Sequence, residues 1–457
     1  MQVTTVMHSH EVKSRRKRDT DGSWTAAISH ALTESWTGAF ASLRFSMKLR
    51  TRKQELQWDR AAVKSIHIKL KGILSSSCCE MERRPPLNYD HQVDPIPWEE
   101  QQLIQRIYEK TSEANRSNVT RTQAYWDCYL SYPEIHWALL AHMVSRNAGW
   151  NMSDLKGGLM SDLTDPAFKN NLYRFLERCN ALIFQDAYPQ LLLYMHSRKE
   201  GKPLFHLLPH LNVSSFMAPF WEQFWQDGGS SPLTIALIIN EQNYIEGRVA
   251  KHPFYQRHLL QHALFRTHEL ARLNQIVFPL GDGYVNKSDM DKTMGQNLPS
   301  RPLAGLTLPK FDSVSLRIKT GRSLYALLFG YEEIHRAVLA FAQSTKHQGT
   351  RAEYWPALFT PTVDQAMNHA HVSNDLLNSE WLLAGQRLYS PRLEEVWHDV
   401  PSEPIPRYDW YQDDSMLTHI RKPHRPLLPD MTHAHRAALE KTSIAHDAAA
   451  RLPFHRH

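Results

Sequence analysis

From about residue 93 onward, apolar residues return at helical spacing through a series of segments punctuated by proline, glycine and short polar residues. "PWEEQQLIQRIYEKTSEAN" (97–115) opens with Pro97 and two acidic residues, as a helix N-terminus does. "SNVTRTQAYWDCYLSY" (117–132) offers Ser117 or Asn118 as its cap. "PEIHWALLAHMVSRN" (133–147) predicts a helix that starts on Pro133 and ends before Gly149. A long helical pattern over 165–201 carries Pro189, which should kink or divide it. Further helices are expected over 213–229 and 231–253, with an amphipathic one over 254–275. Residues 279–321 read as a long polar loop, with "KFDSVSLRIKTG" a short strand or turn, and helix resumes over 321–348. Parallel-sheet crossover patterns are absent. The expected class is all-α, an irregular multi-helix domain with long loops.

The flanks read differently. "SLRFSMKLR" (42–50) and "SIHIKLK" (65–71) alternate apolar and basic residues, a period that suits a strand or an extended arm. Two such pieces are marginal as a folded unit. Residues 1–92 are therefore expected to form a poorly ordered basic arm that the core can close without. Residues 93–420 form the helical domain, and 421–457 form a His-rich basic tail. The net charge of +6 sits in the arm, where 1–92 hold 16 Lys and Arg against 9 Asp and Glu. The chain as a whole is not a basic nucleic-acid binder. The arm alone is a candidate contact for anionic lipid or nucleic acid; no other partner can be named.

No apolar run approaches the roughly 20 residues a membrane helix needs, and the basic N-terminus has no secretory pattern. Cys78, Cys79, Cys128 and Cys179 form no CxxC pair, which points to reduced thiols and a cytoplasmic location. Walker A, dinucleotide and nucleophile-elbow motifs are missing, and no cofactor is assigned.

"NVTRTQAYWDCYLSYPEIHWALLAHMVSRNAGWNMSDLKG" (118–157) resembles the YppC-like proteins of Firmicutes, a family of unknown function. "HQGTRAEYWPALF" (347–359) and "SPRLEEVWHD" (390–399) are similar to it as well. The resemblance covers roughly 93–415. It implies a bacterial intracellular protein with one extended domain, and it carries no activity or catalytic residue.

Three segments concentrate polar groups beside bulky aromatics. The first follows the 133–147 helix, where Arg146, Asn147, Asn151 and Asp154 either tie down a turn plugged by Trp150 or line a pocket. Glu134 and His136 stand at that helix's start, in an "EIH" string repeated at Glu333 and His335. The second is Asn240, Glu241, Gln242 and Glu246, whose polar groups point all around a helix and need partners. The third is "HQGTRAEYW" (347–355), with Arg351 and Tyr354. The three are expected to meet, with Arg146 and Arg351 balancing Glu241 or Glu246.

Glu332-x-x-His335 and Glu395-x-x-His398 have di-metal bundle spacing, with Glu177 and Glu246 as partners, but Pro391 and Pro401 leave the second pair too short a helix. No metal site is assigned. Ser153-x-x-Lys156, Tyr284-x-Asn286 and Lys319-Thr320-Gly321 mimic the order of a penicillin-recognising enzyme, yet "SDLKGG" runs into helix-terminating glycines. Two functions stay open: a helical binding or scaffolding protein, or an enzyme or small-ligand protein whose pocket joins 146–156, 240–246 and 333–354.

Overall fold

The computed structural model of the chain describes residues 40, 42–50, 52–81, 95–158, 165–261, 274–281, 301–365, 386–400 and 409–451. Helices dominate. They are α1 Arg60–Met81, α2 Trp98–Ala114, α3 Asn118–Ser131, α4 His136–Asp154, α5 Pro166–Glu200, α6 Ala218–Asp227, α7 Ser230–Ile245, α8 Val314–Gly330, α9 Glu332–Ser344 and α10 Thr432–Arg451. The class is all-α, with two small two-stranded ribbons. β1 Gln275–Pro279 pairs antiparallel with β2 Leu303–Thr307, and β3 Phe359–Thr360 pairs parallel with β4 Leu388–Tyr389.

Local chemistry accounts for the helix ends. Ser117 and Thr120 form a reciprocal capping box at the start of α3. Asp165 accepts from the Phe168 amide to open α5, and Gly201, at φ 69°, closes it. α5 continues through Pro189, which is buried inside it, so the expected division does not occur. Ser313 caps α8. The segment "KFDSVSLRIKTG" is thus largely the first turns of a helix, not a strand.

α4 and α7 are buried on nearly every side. Such all-round burial marks central helices. α3, α5 and α8 pack around them, and the main core runs from Leu49 to Leu439.

The expected arm needs correction over its described part. Residues 42–49 and 60–81 are helical, not extended. In "SIHIKLK", Ile66 and Leu70 lie four apart, the helical repeat, and both are fully buried along with Leu49. Lys53 bridges to Tyr331, and the Asp430 amide donates to Ser46 Oγ at 3.2 Å. Leu49, Ile66 and Leu70 are thus part of the main core. Residues 1–39 and 82–94 lie outside the described residues. In the expected tail, Met431, His435, Ala438 and Leu439 are buried, the last three on α10. No described helix is long and apolar enough to cross a membrane.

Candidate functional site

The polar string after residue 145 is not a turn. α4 runs on to Asp154 and carries Arg146, Asn147, Trp150, Asn151 and Asp154 on consecutive turns. Gly149 does not end the helix. A Cβ there would meet Asn118 Oδ1 at 2.5 Å and His347 Nε2 at 2.7 Å, so the glycine serves close approach. His347 Nε2 lies 3.0 Å from Asn118 Oδ1 across the gap.

Two buried ion pairs fasten α4 to 347–355. Arg351 grips Asp154, with Nε 2.9 and 2.7 Å from the two carboxylate oxygens and Nη2 2.6 Å from Oδ2. Nη2 also donates to Asn151 Oδ1 at 3.1 Å, and Nη1 to the Tyr354 hydroxyl. Burial works against the Arg351 charge, but Asp154 and Tyr354 outweigh it and hold the guanidinium above its ordinary pKa. His435 completes the group: Nε2 lies 3.1 Å from both Arg351 Nη1 and the Tyr354 hydroxyl, and Nδ1 2.8 Å from Gln275 Oε1. An arginine N–H only donates, so His435 Nε2 accepts and its proton sits on Nδ1, toward Gln275. The second pair is Arg146 with Glu353, at 3.6 Å. Glu353 also accepts from the Gln348 and Gly349 amides at 2.7 Å each. Burial alone would raise its pKa; His347, Arg146 and the Gln348 amide reverse this and hold it below the usual carboxylate range. Trp150 is wholly buried with its ring 4.7 Å from that of Tyr354. Asn147 extends the β1 edge, its amide exchanging hydrogen bonds of 2.7 and 2.8 Å with the Val277 backbone.

The expected pairing of Arg146 or Arg351 with Glu241 or Glu246 is not seen. Glu246 pairs with Arg317 at 2.6 Å, and Gln242 Oε1 accepts from Arg317 Nε at 2.8 Å. Asn240 donates to Asp186 and accepts from Trp410 Nε1 at 2.7 Å. Burial pushes the Asp186 carboxyl up to about 8, against Arg248 and Tyr244. Glu134 accepts from the Tyr194 hydroxyl at 2.9 Å, away from the Arg351 group. The two "EIH" histidines share one ring: His136 stacks on Phe329 at 4.0 Å and His335 lies 4.8 Å from it. Glu333 pairs with Arg336 at the surface. The 333–335 part of the expected pocket wall is therefore absent. Glu177 is held by Arg121 at 2.5 Å, which leaves it unlike a free metal ligand. No group of three or more His, Cys, Asp or Glu among the described residues is arranged to hold a metal ion.

The cavity lies between α4, α5, α7 and α8, with a volume of about 270 Å³. Its walls are mainly apolar, including Leu140, Val144, Phe175, Ile183, Ile238 and Leu324. Asn147, Asn151, Glu241 and Gln242 reach it from the expected clusters. Arg121 and Arg317 reach it too, each engaged by its own glutamate. Glu241 is the exception. It accepts from Trp137 Nε1 and Gln242 Nε2, both at 3.2 Å, and forms no ion pair among the described residues. Burial pushes its carboxyl up to about 8. It keeps some accessible surface although it lies deep in the protein, because it faces the void. Trp137, Arg317, Glu353 and His435 were not singled out in the sequence, because a buried arginine's partner is set by the chain's path.

The chain belongs to the family described as protein of unknown function (DUF2515), whose model matches residues 113–440. It is 37% identical over 249 residues to the uncharacterized protein YppC of Bacillus subtilis (strain 168), across 54% of this chain and 72% of the relative. No solved structure matches the chain. The family match takes in α3, both ion pairs, the cavity and His435, well past the expected limit at 415. It leaves out α1.

Proposed function

We propose that this protein binds a small, largely apolar molecule in the cavity between α4, α5, α7 and α8. The observation that carries this reading is Glu241, a carboxyl without a countercharge among the described residues that faces a mainly apolar void. As a structural group it is a poor choice. A glutamine would fill the same volume without the desolvation that raises the carboxyl to about 8. A carboxyl kept at such cost in a largely apolar pocket is the composition of a ligand site. The ion pairs at Arg351 and Arg146 serve as the frame that fixes α4, not as the site. Titration calorimetry with n-octanol tests the reading. One saturable equivalent is expected for the full chain, and none for Val144→Trp, which fills the void. Absence of saturable binding by octanol and by its amine and acid analogues alike, or equal binding by the variant, overturns it.

A second reading, a docking role, rests on a different face. Phe40, Leu43 and Met47 recur at helical spacing and are 68, 45 and 54% exposed, with Arg44 and Lys48 between and beside them. Arg50 Nη1 reaches the Leu427 carbonyl at 3.5 Å, which brings the exposed Leu427 and Leu428 alongside. Apolar side chains ringed by cations suit an anionic lipid surface better than nucleic acid, which needs the cations alone. Co-sedimentation should be strong with phosphatidylglycerol vesicles, weak with phosphatidylcholine and lost in Leu43→Glu/Met47→Glu. Equal binding to both lipids overturns this. A cytoplasmic location is our reading too, supported by the buried free thiols Cys128 and Cys179.

A further inference from the structure

The charges around the cavity allow its ligand to be narrowed, on the premise that the cavity is a binding site. Among the described residues, the acidic and basic side chains that line it are Arg121, Glu241 and Arg317. Arg121 is spent on Glu177 at 2.5 Å and on the Asn115 side chain at 3.1 Å. Arg317 is spent on Glu246 at 2.6 Å and Gln242 at 2.8 Å. Each arginine is thus matched by one glutamate. Glu241 is left over, with two neutral N–H donors and no cation among the described residues.

An anionic ligand would meet Glu241 with both arginines already taken. A neutral ligand would leave the carboxyl without the charge that its two fixed donors are placed to receive. A cationic ligand lets the carboxyl ionise and pairs with the charge it then carries, as neither an anionic nor a neutral ligand can. The rings nearby favour the same sign: Trp137 and Tyr125 both line the void and sit edge to face, 5.3 Å apart, and aromatic faces attract cations. The rest of the wall is hydrocarbon, so the cation must carry an apolar body.

We propose that the cavity takes an apolar organic cation of the primary-amine class, its ammonium ion-paired to the Glu241 carboxylate and its hydrocarbon against Leu140, Val144, Ile238 and Leu324. Trp137 and Gln242 position the carboxylate through one oxygen each. No bond is made or broken; the site is a receptor for charge and chain length together.

The test is calorimetry on the full chain with three probes of one length: n-octylamine, n-octanol and octanoate. Octylamine should bind at least tenfold tighter than octanol, and octanoate weakest. Glu241→Gln keeps the side-chain shape and should remove the amine's advantage while leaving octanol binding in place. Octanol or octanoate binding as tightly as octylamine overturns the amine assignment and leaves the cavity reading standing, as does an undiminished preference in Glu241→Gln. Failure of all three probes to saturate the wild-type protein overturns both. The ranking in the wild-type chain decides the matter even where the variant folds poorly.

Discussion

Arg351 and Asp154 stand 197 positions apart in the chain and meet through nitrogen–oxygen contacts of 2.6 to 2.9 Å, almost wholly out of water. Removing one partner leaves the other charge buried and unpaired. Asp154→Ala should therefore cost roughly 3–5 kcal/mol in urea unfolding. Arg351→Met combined with Asp154→Leu should cost clearly less than the two single changes summed. Additive losses would show that the pair does not act as a unit.

That pair also marks how far the sequence could be read. The segments 146–156 and 347–355 each paired polar groups with aromatics, and they do meet. Which carboxylate each arginine takes was not legible. The charge pattern is equally satisfied by Glu241, Glu246, Glu353 or Asp154, and only the path of α4 across the fold decides. The helices themselves were readable from their period. "SIHIKLK" was not, because its seven residues fit both periods and burial of Ile66 and Leu70 depends on surfaces far along the chain. His435 lay in a string of basic residues whose composition resembles a frayed tail.

Gly149 gives the second prediction. Glycine in a helix interior costs about 1 kcal/mol relative to alanine, so propensity alone says Gly149→Ala stabilises α4. The new methyl would instead press on Asn118 Oδ1 and His347 Nε2, inside 3 Å of both. Overpacking of this kind costs roughly 1–3 kcal/mol. Net destabilisation is expected in thermal or urea unfolding; a rise in stability would show that the Asn118–His347 contact yields freely.

Deleting residues 1–81 should expose the surfaces that Leu49, Ile66 and Leu70 cover, although these residues precede the family match at 113. A milder form is Leu70→Ala, expected to cost roughly 2–5 kcal/mol as a buried large-to-small change. Hydrogen exchange should show the loss centred on α1 and α6, which pack together. A truncated chain that melts within a few degrees of the whole would contradict this.

The last prediction concerns pH. Glu241 and Asp186 are both raised to about 8 by burial, and Glu241 adds to the cost of ionising Asp186. The groups facing Asp186 are Arg248, Tyr244, Asn240 and Gln190; those facing Glu241 are Trp137, Gln242 and, more distantly, Tyr125. In the unfolded chain both carboxyls ionise near their ordinary values, about 4. A folded-state pKa above the unfolded one means that the folded protein holds the proton more tightly. The stability from this source is complete below about pH 4 and is lost as pH rises toward about 8. The loss amounts to a few kcal/mol for each group. His136 works in the opposite sense: burial, then His335, lowers it to about 3, so its contribution is lost on acidification. Comparing variants separates the two. Glu241→Gln and Asp186→Asn should each flatten the decline between pH 5 and 8.5 and gain on the wild-type chain at the alkaline end. Urea unfolding at those two pH values measures it. An octylamine-saturated wild-type protein should show the same flattening, because the bound ammonium then stabilises the Glu241 carboxylate. Parallel pH profiles for the wild type and Glu241→Gln would mean that Glu241 ionises at its ordinary value and reaches water.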